Sequence, residues 1–346
     1  MPVNMTYRTR RRLNRLGTVL GIGLTAGLVI WICWLAWLGR FVVYTPQGAE
    51  IHLDKPFSFE GGVVARPPVE ETVAIHYNEG TDRVNTSSEL GQISGSYATT
   101  SMLLDSVEAV DAAIQKLPAG SAVMLDLKSI YGNFYYNTSI PGAPVADAID
   151  SAQVDKLIRN LSGSDYYLIA RIPAFRDRAF GLENTSYGLP TSRGYLWADE
   201  QNCYWLDPTS NGALNYLISI ANELRDMGFD EVVFCEFRFP NTDSIVFRSS
   251  LSRSEAIAQA ASILVTSCAT ETFTVSFESD DDEFPLPEGR TRLYLTGVSA
   301  AKAQGILDHS TVPVKESQLV FLTETNDTRF DISSVLRMLT ILDMPQ

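Results

Sequence analysis

The apolar positions change their period along the chain, and the changes mark its organisation. Residues 16–39, LGTVLGIGLTAGLVIWICWLAWLG, carry no charge in 24 positions. As a helix this stretch would span about 36 Å at ~1.5 Å per residue, enough for a ~30 Å hydrocarbon layer. The segment RTRRRLNR precedes it, which predicts a cytoplasmic N-terminus. Trp31, Trp34 and Trp37 gather toward the outer end, where an aromatic belt belongs. A cleaved signal peptide is the rival reading. It would have a shorter apolar region and a small-residue cleavage site, and WLAWLGRFVVY is a poor one. The pattern predicts a basic tail over 1–15, an uncleaved single-pass membrane helix over 16–39, and an extracytoplasmic remainder.

Residues 40–93 read as a juxtamembrane stalk. TPQGAE, FEGG, RPPVEE and NEGTDRVNTSSELGQ have turn and linker composition, and TVAIHY (72–77) has strand character. From residue 94 onward, apolar runs of strand length alternate with helical patterns. GSYATTSMLL, AVMLDLK, YYLIARIPAF, EVVFCEF, TFTVSFES, RLYLTGV and QLVFLTET read as seven strands. NYLISIANELRDMGF places Leu214, Leu217, Ile218, Ala221 and Leu224 on one helical face, with Gly228 at the C-terminal cap. Ser252 and Glu255 form a capping box, and residues 332–342 read as a closing helix.

Strands alternating with helices indicate parallel βαβ units, and runs apolar on both faces suit strands covered on both sides. Residues 94–346 make 253 positions, close to the ~250 of a (β/α)8 barrel. The predicted fold is therefore α/β, a TIM-like barrel domain over 94–346. Its eighth strand is missing, or lies in the juxtamembrane region or in the 174–210 excursion. A doubly wound open sheet is the rival, but no Gly-rich nucleotide loop follows the first strand.

Charge narrows the function classes. Six of the 27 basic residues fall in the first 40 positions with no acid, leaving 21 basic against 41 acidic residues beyond. So acidic a surface argues against nucleic-acid binding. Cys33 lies in the apolar span, and Cys203, Cys235 and Cys268 are widely spaced with no CxxC. They read as buried thiols, with room for one pair. The three histidines are scattered, so neither a metal site nor a Ser–His–Asp triad is indicated, and no cofactor is expected.

In a parallel barrel the working residues lie just past the C-terminal ends of the strands. That rule selects Asp126 and Lys128, Arg171 and Asp177, Glu236 and Arg238, Glu278 with Asp280, Asp281 and Asp282, and Glu324. The excursion adds Trp197, Tyr204 and Trp205, whose flat faces suit sugar stacking or a cover for the barrel end. Asp126 and Lys128 share a strand face, so they either serve a site or pair with each other. Arg238 either braces a loop or touches substrate.

The runs VMLDLKSIYGNFYYNTSIPGA, YYLIARIPAFRDRAFG, WADEQNCYWLDP and IANELRDMGFDEVVFCEFRFP occur in this order over residues 122–240. Together they resemble a bacterial glycoside hydrolase family with a (β/α)8 barrel. Its pattern is a D-x-K strand followed by G and Y, then I-A-R-x-x-x-F-x-D, W-x-x-P, and G-F-D-E-I-Q-F-D-Y-x-R-F-P. Asp126, Lys128, Arg171, Asp177, Trp205, Pro208 and Arg238 match it. The departure is FCEFRFP: Cys235 stands where the family has an acid, and Glu236 where it has Tyr.

The resemblance implies an enzyme cleaving a glycosidic bond in a polysaccharide. Asp126 and Glu236 are the expected catalytic acids, with Glu278 or Glu324 as a further candidate. Lys128, Arg171, Asp177, Trp197, Trp205 and Arg238 are the expected carbohydrate-binding residues. A thiol cannot replace a carboxylate that stabilises an oxocarbenium ion. Adjacent strand residues point to opposite faces, so Glu236 substitutes only if the strand end twists or bulges. The alternative is a catalytically inactive barrel that binds glycan or an envelope protein at the same mouth.

Overall fold

The computed structural model describes residues 90–341, the strands Val42–Thr45 and Gly48–Ile51, and four helical positions, Thr25, Gly27, Leu28 and Trp31. Two compact units are distinguished, Met1–Gly62 and Val63–Gln346. In the first, the two strands pair antiparallel, Val42 opposite Ile51 and Thr45 opposite Gly48. Apart from those four helical positions, the expected membrane helix lies outside the described residues, as does the 72–77 run. Among the described residues no helix is long and apolar enough to cross a membrane.

The second unit contains a closed barrel of eight parallel strands. In chain order they are β1 (Ser94–Ala98), β2 (Ala122–Asp126), β3 (Tyr167–Pro173), β4 (Glu231–Cys235), β5 (Thr274–Ser279), β6 (Leu293–Leu295), β7 (Leu319–Thr323) and β8 (Ser334–Met338). The last pairs with both β7 and β1 and closes the ring. This is a TIM-like barrel, and it corrects two expectations. The eighth strand is neither missing nor in the juxtamembrane region nor in the excursion; it lies where a closing helix was expected. SSVLRML is apolar on both strand faces, because one faces the barrel axis and the other the helical layer. Such a run also satisfies helical spacing, so periodicity alone cannot separate the two. The first strand is also shorter than expected. It stops at Ala98, and Thr99 caps a helix, Thr100–Asp105, through its side chain.

Alternation along the strands sorts the side chains into layers. Ala122, Met124, Ile169, Val233, Tyr294, Val320 and Leu336 fill the barrel interior. Val123, Leu125, Leu168, Ala170, Val232, Phe234, Val275 and Phe277 face outward into the core shared with the helices. The helix Asn211–Asp226 buries Leu214, Leu217, Ala221 and Leu224. It ends at Gly228, whose φ of 92° lets Phe229 N–H return to the Leu224 carbonyl at 3.1 Å. The capping box at Ser252 and Glu255 forms as expected, opening the helix Arg253–Cys268.

The N-terminal end of the barrel is sealed by a polar plug. Arg292 and Glu231 are both buried and form an ion pair there. Tyr167 Oη donates to Glu231 Oε2 at 2.9 Å. Arg292 also donates to the carbonyls of Ser317 at 2.9 Å and Gly91 at 3.1 Å. With these charges satisfied inside the protein, the open chemistry is left to the opposite, C-terminal end.

Candidate active site at the barrel mouth

Inward positions at the C-terminal ends of β2 to β5 are Asp126, Arg171, Cys235 and Glu278. Asp126 and Arg171 are direct partners across β2 and β3. The Arg171 guanidinium donates from Nη1 to Asp126 Oδ1 at 3.0 Å and from Nη2 to Glu278 Oε1 at 2.7 Å. Its Nε donates to the other Glu278 oxygen at 2.5 Å, so Glu278 is held bidentately. The second Asp126 oxygen accepts from Thr100 N at 3.0 Å and Thr100 Oγ1 at 3.3 Å. One arginine thus ties together carboxylates from β2 and β5, across the barrel axis.

Cys235 is buried at the same level. Its thiol is held far above the ordinary cysteine range. Burial is the main cause, and the charges of Glu278, Asp126 and Glu236 add to it against the opposing pull of Arg171. At neutral pH it is a neutral thiol, able neither to hold the charge of a carboxylate nor to attack as a thiolate.

Glu236 does undergo the distortion that would free it from strand alternation. Its φ of 49° is left-handed, an uncommon conformation for a residue with a Cβ. The kink delivers the carboxylate to the excursion. Oε1 accepts from Arg176 Nη1 at 3.0 Å, and Oε2 from Arg238 Nη2 at 2.9 Å. Arg176 is further held by Asp199 Oδ2 at 2.6 Å and Gln201 Oε1 at 2.8 Å. Asp199 titrates below the usual carboxylate range. Its burial opposes this shift but is outweighed by hydrogen bonds from the Cys203 amide, the Trp205 indole and Arg176.

The tryptophans do not form an open sugar platform. Trp205 is 3% exposed and has two guanidiniums near its ring, Arg176 at 5.7 Å and Arg238 at 5.0 Å from the ring centroid. Its indole N–H donates to Asp199 at 3.1 Å. The expectation that Trp205 stacks on substrate is corrected: the ring is buried beside the arginines that hold Glu236. Trp197 is half-buried and packs on the cluster of Leu189, Trp205 and Ile245. Arg238 is half-exposed and braces the loop through its ion pair with Glu236.

Lys128 and Asp177 are also placed differently from expectation. They pair at 2.7 Å with no side-chain exposure at all. Lys128 donates to the Pro173 carbonyl at 3.1 Å, while Asp177 accepts from Tyr216 Oη at 3.0 Å and caps the helix Arg178–Glu183 through Phe180 N at 2.9 Å. Both lie past their strand ends, beyond the reach of the alternation that aims Asp126 and Arg171 inward. They hold the β2 and β3 loops together and cannot touch a ligand in this arrangement. Gly132 belongs to the same joint. It has φ 88°, and a Cβ there would lie 2.4 Å from Asp177 Oδ1. That accounts physically for the glycine after D-x-K.

Several mouth residues escaped the sequence reading: Tyr97, Thr100, Arg176 and Asp199. Tyr97 and Thr100 sat inside a strand drawn too long. Arg176 stood beside Asp177 in FRD and was passed over. Asp199 had only its place near Trp205 as a signal. Glu324, exposed just past the end of β7, makes no hydrogen bond or ion pair among the described residues. The Asp280–Asp282 run is also largely exposed, and no metal-holding group of His, Cys, Asp and Glu is found among the described residues.

Comparison with known proteins agrees with this architecture. No curated protein matches the chain. Among solved structures, a hypothetical protein from Ruminiclostridium thermocellum is 24% identical over 52% of this chain and 96% of its own, with a TM-score of 0.45. A GH36 alpha-galactosidase variant from Geobacillus stearothermophilus in complex with stachyose has a TM-score of 0.51 at 10% identity over 76% of this chain. An inactive mutant of the GH20 exo beta-N-acetylglucosaminidase from Vibrio harveyi has a TM-score of 0.50 at 10% identity over 72% of this chain. The matches cover 41% and 50% of those two glycosidases, so the likeness is one of barrel fold. The family described as "Putative glycosyl hydrolase domain" matches residues 96–273, from the first barrel strand to the threshold of the fifth, and the chain belongs to that family.

Proposed function

We propose that the barrel mouth binds a carbohydrate without cleaving its glycosidic bonds. One observation carries this reading: Cys235, at the position where the resembled pattern has an acid, is a buried neutral thiol, and the neighbouring Glu236 is clamped by Arg176 and Arg238. Hydrolysis needs one carboxyl group to give a proton and a second to act as base or nucleophile. The clamp spends both oxygens of Glu236 on loop structure.

A second reading has its own observation. Asp126 and Glu278 share Arg171 and keep side-chain exposures of 13% and 11%. Through that guanidinium their nearest oxygens lie within about 8 Å, compatible with the ~5–9.5 Å between glycosidase carboxyls. Such an enzyme would have moved its acids to β2 and β5.

The test is a glycan screen on the full chain in detergent, reading binding and released reducing ends together. Binding without turnover, unchanged in Glu236→Gln, supports the first reading. Released ends that vanish in both Asp126→Asn and Glu278→Gln establish the second. We further propose that residues 16–39 anchor the chain in a membrane with the barrel outside, on the strength of the uncharged run and the arginines before it. Protease protection of the barrel in sealed, correctly oriented cells would refute that orientation.

A further inference from the structure

The mouth is unevenly balanced. Asp126 and Glu278 share the single cation Arg171, and Glu236 and Asp199 are matched by Arg176 and Arg238. Glu324 has no counter-ion among the described residues. It follows Thr323, which pairs with Arg337 of β8 just as Tyr97 pairs with the next residue, Met338, so the chain leaves β7 at the level of Tyr97. Thr323 and Thr325 fix its backbone, with Thr325 N donating to Thr323 Oγ1 at 3.1 Å.

The far wall of this corner is Tyr97, the inward residue near the end of β1. Its hydroxyl makes no hydrogen bond among the described residues. It titrates above the ordinary phenol range, first through burial and next through the charge of Glu324, against the opposing pull of Arg171, with Asp126 and Glu278 adding. Between the two walls runs β8, where Met338 pairs with Tyr97. The one basic residue of β8, Arg337, alternates to the outside and is occupied by Asp331 Oδ1 at 2.8 Å and the Asp327 carbonyl at 3.1 Å. The backbones of β7 and β1 stand two strand spacings apart, about 10 Å. The corner therefore offers an unmatched carboxylate, an aromatic ring with an idle hydroxyl, and an apolar floor. That is a receptor for an ammonium group, which bonds ionically to a carboxylate and is drawn to an aromatic face. A neutral hydroxyl or an N-acetyl group gains far less there.

Resting on the reading that the mouth holds carbohydrate, we propose that it selects a saccharide with a free amine, and that Glu324 is the residue that selects it.

The experiment is calorimetric titration of the full chain in detergent with three probes of equal length: glucosamine oligomers, N-acetylglucosamine oligomers and glucose oligomers. The amine-bearing probe should bind at least about tenfold more tightly than its acetylated counterpart, the scale of one charge-assisted hydrogen bond. Glu324→Gln should abolish that preference with an unchanged melting temperature, and Glu324→Asp should retain it. Equal or tighter binding of the acetylated or glucose probes overturns the selection while leaving carbohydrate binding intact. A preference that survives Glu324→Gln overturns the assignment to this residue. Binding of no sugar, in these titrations and in the glycan screen, overturns both readings together.

Discussion

Replacing Lys128 with Met tests whether the D-x-K lysine is structural. The ion pair with Asp177 is 2.7 Å long and wholly buried. At an effective dielectric of ~20, its Coulomb attraction is about 6 kcal/mol, before the cost of removing both charges from water. Met keeps the unbranched stem and removes the charge, so packing against Tyr216 and Phe134 changes little. Asp177 is then a buried carboxylate with only Tyr216 Oη and Phe180 N for support. Breaking a buried pair from one side costs about 3–5 kcal/mol. For a domain of this size each kcal/mol moves Tm by about 2–4 °C, so the melting point should fall by roughly 10 °C. The double variant Lys128→Met with Asp177→Asn removes both charges and keeps an acceptor for the helix cap. It should be more stable than Lys128→Met alone, giving a coupling energy of several kcal/mol in the cycle. The assay is thermal unfolding by circular dichroism, beside glycan binding at a temperature where all variants are folded. A loss under ~1 kcal/mol, or additive effects, would refute the structural role. Binding lost in a fully folded Lys128→Met would return the lysine to the ligand site.

The plug at the opposite end makes a parallel case: Arg292→Met leaves Glu231 buried and should also cost about 3–5 kcal/mol, read as a shift of the urea midpoint, with no change in ligand affinity. Burial pushes the Cys268 thiol up to about 12, with the Arg225 charge opposing, against an ordinary value of 9.0. A raised folded value means stability that is complete below the unfolded pKa and lost as pH climbs through the folded one. Unfolding midpoints should therefore decline from about pH 9 toward 12, and Cys268→Ser should flatten that slope. At neutral pH, Cys203, Cys235 and Cys268, all buried and unpaired, should resist alkylation until the chain unfolds, as mass spectrometry of labelled peptides would show.

Much of the barrel was legible because its determinants are local. Alternating apolar runs, the Ser252–Glu255 cap and the glycine at 228 each act within a few residues, so they can be read in one dimension. The strand-end rule likewise found Asp126, Arg171 and Glu278, because alternation alone aims those side chains inward. The closing strand could not be separated from a helix in this way. Ser334–Met338 is a strand because β7 and β1 present open edges on either side of it, and those edges exist only in the assembled ring.

The motif signalled that Lys128, Asp177, Trp205 and Glu236 matter, but not how. Composition and spacing alone indicated an acidic α/β barrel and its strand-end candidates, and the resemblance to a family pattern added a cysteine at an expected acid position. Tertiary structure decided that Lys128 and Asp177 face each other inside the wall and that Trp205 is buried beside two arginines. It also decided that Glu236 is turned aside by a left-handed kink, while Glu324 is left without a partner among the described residues. Those outcomes depend on which charges meet across loops far apart in sequence. Pairing and burial, not residue type, set what a carboxylate in this mouth can do.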